Sequence, residues 1–563
     1  MSAETIAMFA AEMVVMGTAI AIYLGGSFAA RPRLWRRVAL AGLAVAAVIL
    51  VEAPGGRVAD APLEVDHLAA YLRWLALASG LLLATLGTGP IAGPSAAEYL
   101  GSLLLATAGT MLVASTRDLV LLFVALEMVS IPTYILLYLG RGDSASQEAA
   151  AKYFYLSVFA SALLLYGFSF LYAAAGSMDL SEIHTRLIAI HAADGPFGAF
   201  AKIGLALVLA GLGFRLAAVP FHFYAADVYQ GTTHQNAALL SVLPKIVGLA
   251  ALVRVVGVAM GGLEAYAWPA VLAISLATMT LGNVVALWQD DVRRLLAYSS
   301  IAHAGYLLIG LAAFLAARAG DPPAWDGMGA MLFYLLTYAA ATIGAFAALA
   351  VFGSSVTVHG DCPDFRGEVR ENGTVPLGRS NRQLDKVEEL AGLAWTPGKV
   401  ERSMAWLLAA FLLSLTGIPP LAGFWGKLAI FASALDVAPA EARPWFVALA
   451  VGGVVNSAIA AGYYLRVVGV MFFRPPAAPP PLCDRIAGPV AAAWACAVVT
   501  VVLVGLYPGP WLGWANQSGL RAAAVHRQDE QIAPRGETRS GFAKPLSLGR
   551  ASVHVSAPSP RTF

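Results

Sequence analysis

Seven ionisable residues stand inside stretches that are otherwise apolar: Glu127, Lys152, Lys202, Arg215, Lys245, His303 and Lys427. Glu127 lies ten residues after Arg117 and is flanked by Leu126, Met128, Val129 and Ile131. As a helix that is about 15 Å of depth. Lys245 stands about thirteen residues into its apolar stretch and His303 about ten into another, and Lys427 is well inside a third. A charge at a bilayer centre costs at least ~2.5–3.5 kcal/mol on insertion scales, so each such residue needs a reason. The chemistry that fits is proton transfer. Burial moves acids and amines towards neutrality, and a row of groups that gain and lose protons, with trapped water, passes a proton onward. Plainer readings stand beside it. Lys152 and Lys202 sit near the ends of their stretches and could snorkel to an interface. His303 could be a satisfied core histidine. Glu127, Lys245 and Lys427 could belong to structural ion pairs.

Helix breakage is the second signal. One apolar stretch ends in Val219-Pro220-Phe221-His222, and another contains Gly417-Ile418-Pro419-Pro420-Leu421-Ala422-Gly423. Pro244 directly precedes Lys245. Proline removes a backbone donor and kinks a helix. Broken helices at membrane depth face protein or a wet cavity, and paired breaks in two halves mark inverted-repeat transporters. An ordinary proline kink is the bland alternative. Pro220, Pro244, Pro419 and Pro420 are therefore the expected break positions.

These residues have to be positioned by membrane helices. The 563 residues are 59% apolar and 12% charged, with a mean hydropathy of +0.71, against about 25% charge in ordinary soluble domains. Spans of about 20 apolar residues are read near 4–29, 35–52, 67–89, 96–115, 118–140, 148–175, 198–218, 232–257, 264–288, 293–317, 328–353, 403–434, 444–473 and 487–514. The expected fold is thus an all-α polytopic membrane protein of about fourteen spans. Spans 4–8 and 9–13 form two inverted five-helix repeats, with spans 7 and 12 discontinuous. The expected divisions are an N-terminal unit 1–95, repeats 96–257 and 258–475, a last span within 476–515 and a mobile basic tail 516–563.

The net charge of +2 gives no pull towards nucleic acid. Cys362, Cys483 and Cys496 are isolated, and no Gly-rich phosphate loop follows a strand, so no redox cofactor, metal or nucleotide is expected on this chain. The N-terminus carries Glu4 and Glu12 instead of a basic region; the first span is expected to be retained. Loops holding Arg31, Arg33, Arg36, Arg37, Arg141, Arg293, Arg294, Arg474 and Arg485 outweigh those holding Arg57, Arg117, Arg186, Arg318 and Arg443. The richer set reads as cytoplasmic, which puts both termini on the outer side. The polar insert 354–402 reads as a loose cytoplasmic loop. Leu384, Val387, Leu390 and Leu393 at its end predict a short amphipathic helix on the membrane surface or a partner.

The motifs resemble a known family. Leu126-Glu127-Met128-Val129-Ser130-Ile131-Pro132-Thr133-Tyr134 and Arg293-Arg294-Leu295-Leu296-Ala297-Tyr298-Ser299-Ser300-Ile301-Ala302-His303-Ala304-Gly305-Tyr306 are similar to the antiporter-like subunits of respiratory NADH–quinone oxidoreductase, complex I. Val219-Pro220-Phe221-His222 with Asp227-Val228-Tyr229-Gln230-Gly231 resembles the N-type subunits in particular, where L and M types run into an Asp-Ala-His. Ser241-Val242-Leu243-Pro244-Lys245 and Thr416 to Phe424 point the same way, and the resemblance covers roughly 60–475.

The resemblance implies a proton-translocating subunit of a bacterial inner-membrane complex. Its partners would be A, H, J, K, L and M types, with FMN, iron–sulfur clusters and quinone held elsewhere. By motif, Glu127 takes the family's span 5 glutamate, Lys152 a lysine opening span 6, Lys245 the span 8 lysine and Lys427 the span 12 base. The expected mechanism is an electrostatic switch of Glu127 with Arg215, and proton passage through Lys245, His303 and Lys427. His222, Asp227 and His234 are auxiliary candidates. Three departures stand out. Arg215 replaces the usual lysine and keeps its proton. Thr232-Thr233-His234-Gln235-Asn236 replaces a Pro-rich start of span 8, and His234 either titrates or faces the aqueous rim. The polar material within 354–382 is extra. The rival functions are an Mrp-type cation/proton antiporter subunit, a ferredoxin- or hydrogenase-linked relative, and a structural subunit without transport.

Overall fold

A computed structural model describes residues 3–57, 61–87, 95–141, 143–192, 197–317, 326–357, 379–437, 440–475 and 487–518. Among them, twelve helices are long and apolar enough to cross a membrane, as a multi-pass membrane protein requires. The chain opens with α1 (Ala3–Phe28), α2 (Pro32–Glu52), α3 (His67–Leu86) and α4 (Ser95–Ser115). Next come α5 (Leu119–Tyr138), α6 (Ser144–Ala175), the short α7 (Leu180–Ala192), α8 (Phe197–Leu216) and α9 (Ala225–Gly231). The centre holds α10 (His234–Leu252), α11 (Glu264–Ala286), α12 (Val292–Ala317) and α13 (Gly327–Leu349). Then follow α14 (Lys399–Thr416), α15 (Ala422–Leu435), α16 (Arg443–Phe473) and α17 (Ala487–Ala497).

Short polar residues start these helices as capping chemistry requires, their oxygens accepting from first-turn amides. Asp66 caps α3, Asp118 caps α5, Asp143 caps α6, Thr233 caps α10 and Asp326 caps α13. Helices apolar all round belong in the interior. Accordingly α10, α12 and α13 are almost wholly enclosed, and the other helices wrap them. Within the outer layer Arg73 of α3 reaches Glu12 of α1, with both side chains buried and two contacts of 2.7 Å.

Several expectations change. The stretch read as span 12 is two helices, α14 and α15, separated by 417–421 with Gly417 at φ 95°. The last stretch is a shorter helix, α17 continued by a π-helical turn to Leu503. Pro220 and Pro419–Pro420 lie in the two breaks, but Pro244 does not break α10, which runs through it. Helices enclose α10 on every side and hold it helical despite the missing donor; it widens only at Val253–Ala259, a π-helical turn. The amphipathic helix expected near 384–393 is instead two 3-10 turns, Val387–Leu390 and Leu393–Trp395. Their apolar side chains Val387, Leu390, Leu393 and Ala394 are buried against α16, so they cover this chain's own core. Of the insert, β3 (Gly353–Thr357) and β4 (Arg379–Gln383) pair antiparallel, with β1 (Gly56–Arg57) and β2 (Glu64–Val65) forming the other ribbon. The rest of the insert, 358–378, and the tail beyond 518 lie outside the described residues.

Candidate functional site

Glu127 sits on α5 where α6 and α8 converge. Its Oε1 accepts from Arg215 Nη2 at 2.9 Å and from Ser161 Oγ at 2.5 Å. Arg215 also donates to Ser130 Oγ at 2.5 Å and to the Leu126 carbonyl at 3.3 Å. Nη1 thus meets two points of α5 one turn apart while Nη2 holds Glu127, a fork of two nitrogens that an ammonium cannot copy. Arg215 ends α8, where a cation suits the helix dipole. The Arg215 side chain is 7% exposed and that of Glu127 22%, so the carboxylate lies at the edge of the bundle with the cation inside.

The α8 end presses on α10 through Gly248, three residues after Lys245. A Cβ there would stand 2.9 Å from Leu216 Cδ2 and 3.6 Å from Arg215 Cβ. Lys245, fully enclosed, donates to Ser300 Oγ at 2.5 Å. Ser300 is also 3.3 Å from Tyr229 Oη and receives Tyr338 Oη at 2.9 Å. One turn further along α12, His303 Nδ1 is 2.5 Å from Tyr334 Oη and Nε2 is 3.1 Å from Tyr464 Oη. The Tyr464 hydroxyl in turn pairs with Ser299. The His303 ring lies 5.1 Å from the Tyr338 ring and 5.8 Å from the Tyr306 ring. Lys427 Nζ stands 4.7 Å from the centre of Tyr306 and donates to the Thr416 carbonyl at 2.9 Å. That carbonyl is available because α14 ends there. The break therefore supplies the acceptor that lets a lysine sit in the core.

Lys245, His303 and Lys427 are thus joined by a tyrosine cage running from the first half of the chain to the second. Spacing along α12 makes this possible: Ser299, Ser300, His303 and Tyr306 recur at three- and four-residue steps, on one face. The tyrosines Tyr229, Tyr306, Tyr334, Tyr338 and Tyr464 were not singled out from sequence. Their signal was there, as phenols inside apolar spans, where each hydroxyl needs a partner.

Other candidates fall elsewhere. Lys152 is outside the buried row. It lies at a polar rim with Asp227 at 3.0 Å and Glu148 at 2.7 Å, its side chain 41% exposed. Asp227 also meets Arg294 at 2.6 Å. Burial alone would raise the Asp227 carboxyl, but the bonds from Lys152 and Arg294 prevail and hold it below its ordinary range. His222 is partly buried in the turn between α8 and α9, apart from the row. His234 does not face the rim. It is buried beside the Leu384 backbone, its ring 6.4 Å from that of Phe346. Lys202 lies over the Tyr266 ring at 4.3 Å.

Comparison with known proteins gives a consistent result. Residues 116–459 match the family model for NADH:quinone oxidoreductase/Mrp antiporter transmembrane proteins. A Sorangium cellulosum protein named NADH-quinone oxidoreductase subunit N 1 is 37% identical over 466 residues, 81% of this chain and 84% of its own. NADH-quinone oxidoreductase subunit N of Desulfovibrio desulfuricans is 34% identical over 90% of this chain and 95% of its own. A chain of respiratory complex I from Thermus thermophilus superposes with a TM-score of 0.69 at 31% identity, covering 89% of this chain and 98% of that one. A chain of the Mrp complex from Dietzia sp. shares the fold, with a TM-score of 0.72 at 22% identity over 92% and 97%.

Proposed function

The chain belongs to the NADH:quinone oxidoreductase/Mrp antiporter transmembrane family, and from that premise we propose that it is a proton-translocating membrane-arm subunit of the N type in an NADH–quinone oxidoreductase. The observation that carries the reading is the enclosed row Lys245, His303 and Lys427, linked by Ser300 and by the hydroxyls and ring faces of tyrosines across the two broken-helix halves. Amines and an imidazole can pass a proton; hydroxyls and trapped water can bridge between them. Glu127 and Arg215 act on that row by their field. Arg215 keeps its proton, so it sets the local potential and carries nothing.

Within this reading fourteen spans cross the membrane, if α14 with α15 and α17 with its continuation each count as one. Spans 4–8 and 9–13 are inverted repeats, and the break falls in the fourth span of each. The units are 1–95, 96–257, 258–475 with the insert 354–402, 476–515 and the tail 516–563. The arginine-rich loops face the cytoplasm of a bacterial cell and both termini face out. This orientation is supported by contacts that gather Arg141, Arg293, Arg294 and Arg474 at one end, around Asp227, Asp385 and Glu388. Electron transfer, with FMN, iron–sulfur clusters and quinone, belongs to other subunits; the neighbours are A, H, J, K, L and M types.

The test is to tag the chain in its own host, extract the membranes in mild detergent and identify what co-purifies. NADH–quinone oxidoreductase subunits support the reading. Recovery with antiporter subunits alone, and with no quinone-reducing activity, overturns it in favour of an Mrp-type role.

A further inference from the structure

A cavity of about 420 Å³ opens at the arginine-rich end of the molecule, lined among others by Arg141, Lys152, Asp227, Gln230, Arg293 and Asp385. Asp385 is the lining residue that comes from the strap 384–396, the segment of two 3-10 turns. The strap is tied at both ends. Val292 N donates to the Asp385 carbonyl at 2.8 Å and Val387 N to the Asp290 carbonyl at 2.9 Å. At the other end, Gly392 N donates to the Val470 carbonyl at 3.3 Å and Trp395 Nε1 to the Phe472 carbonyl at 2.7 Å. Between these ties the Asp385 carboxylate receives Arg293 Nη2 at 2.6 Å, while Arg293 Nη1 donates to the Thr232 carbonyl at 2.5 Å. Arg293 is 1% exposed, so this ion pair forms the floor of the cavity.

Two elements that line the cavity, α9 and α12, also lead to Lys245. Ala297 and Ser300 follow Arg293 by four and seven residues on one face of α12, and Ser300 accepts from Lys245. Tyr229, two residues after Asp227 on α9, carries the hydroxyl 3.3 Å from Ser300. Beside this line, at the start of α10, Gln235 Oε1 and Asn236 Oδ1 are buried oxygens with no hydrogen-bond partner. Buried carbonyl oxygens are normally satisfied, so each of these orphans is a position suited to a water partner.

We propose that the Asp385–Arg293 pair is a latch on the proton entrance. Closed, it separates the cavity from Ala297, Ser300 and Lys245 behind it; released, it lets water reach Lys245 from the arginine-rich face. The strap keeps its backbone ties to Val292 and Asp290, so release needs movement of only the two side chains. Two carboxylates of the cavity differ in a way that suits this role. Asp227 is held below the ordinary range by its two cationic partners. Asp385 is raised, because burial outweighs Arg293 and Arg141, with Asp291 and Glu389 adding to the rise. The latch carboxylate is therefore the one that gives up its charge first.

The proposal rests on Lys245 as the proton carrier of the reading above, and its test does not depend on pumping. In membranes containing the whole complex, Ala297→Cys is placed in a chain whose Cys362, Cys483 and Cys496 are replaced by alanine. The rate at which a charged, membrane-impermeant thiol reagent labels it from the arginine-rich face is then measured. Asp385→Ala and Asp385→Asn should speed labelling about tenfold, the scale of one lost charge-assisted hydrogen bond, and Asp385→Glu should restore the slow rate. Equal rates in all four chains overturn the latch. If Asp385→Ala fails to enter the complex, the isosteric Asp385→Asn decides. A separate failure, undiminished translocation in Lys245→Met, would overturn the functional reading and leave the labelling result standing.

Discussion

Glu127→Gln changes charge and almost nothing else. The amide keeps the shape of the side chain, and its oxygen can still accept from Arg215 and Ser161, which now stand at 2.9 and 2.5 Å. A hydrogen bond to a charged group contributes ~1.5–3 kcal/mol and a neutral one ~0.5–1.5 kcal/mol. Each bond would therefore lose about 1 kcal/mol. The Glu127 side chain is 22% exposed and partly screened, which brings the combined loss to about 1–2 kcal/mol. Released from the carboxylate, Arg215 keeps its Ser130 and Leu126 bonds, so its positive field stays in place against α10 with nothing to balance it. At about 1.4 kcal/mol per tenfold, the bias between the two states of the switch shifts by about 5- to 30-fold. The assay is redox-driven proton uptake into proteoliposomes of the purified complex, with blue-native electrophoresis to confirm that the variant chain is present. Uptake should fall by about that factor at normal assembly. Undiminished uptake in the assembled Glu127→Gln complex refutes the switch.

Arg215→Lys keeps the charge beside Glu127 but has one nitrogen in place of the two that now hold Glu127 on one side and Ser130 with Leu126 on the other; uptake should persist, and thermal melts should show about 1–2 kcal/mol of lost stability. Lys427→Arg can still donate to the Thr416 carbonyl but cannot release its proton, so assembly should be normal and uptake lost; normal uptake would remove Lys427 from the path. Glu12→Ala strands Arg73 in a fully buried site and should destabilise the complex by about 3–5 kcal/mol in thermal melts, without changing the proton-to-electron ratio of surviving molecules. For Asp385, whose folded value is raised above its ordinary one, ionisation opposes the folded arrangement at pH above 3.8, and that opposition vanishes as pH falls through the raised value. Arg293 pulls the Asp385 carboxyl down, so parting from it raises that carboxyl further and proton uptake favours the released latch; Ala297→Cys labelling should quicken on mild acidification. Asp227, shifted the other way, contributes stability above its ordinary value that is lost only in stronger acid, so the Lys152 and Arg294 contacts should survive the same change.

The buried charges were legible because the bilayer makes each one conspicuous against an apolar background. Glu127, Arg215, Lys245, His303 and Lys427 all occupy enclosed or half-enclosed places, and the breaks at Pro220 and Pro419–Pro420 lie where proline and glycine put them. The partners of these residues were less legible. A tyrosine in a span reads as an apolar residue until something shows where its hydroxyl points. Only the packing of α12 against α13 and α16 reveals that Tyr334 and Tyr464 both aim at His303. Pro244 misled because a proline's missing donor is a local fact, whereas continuity of α10 is set by the helices around it. Val387, Leu390 and Leu393 misled differently. Their spacing announces an apolar face, but spacing cannot say whether lipid, a partner or the chain's own α16 covers it.

The two halves hold their cations by opposite uses of a broken helix. In the first, Arg215 precedes the break, and its permanent charge is met by a carboxylate on α5 that lies partly open at the bundle's edge. In the second, Lys427 follows the break and, among the described residues, is met by a backbone carbonyl and the face of Tyr306. The first arrangement is an ion pair that can be drawn apart by a charge arriving from outside the chain. The second has no counter-charge among the described residues, so in the proposed function a change of field along the row would be answered there by loss or gain of a proton. Lys245 stands between them, on the helix that Arg215 touches through Gly248 and in the hydroxyl cage that His303 shares. Separation of Glu127 from Arg215 would add unbalanced positive charge next to α10, disfavour a second cation at Lys245 and push its proton towards His303 and Lys427. In the proposed sequence a fixed arginine would suit the first half, because the repelling charge cannot itself leave.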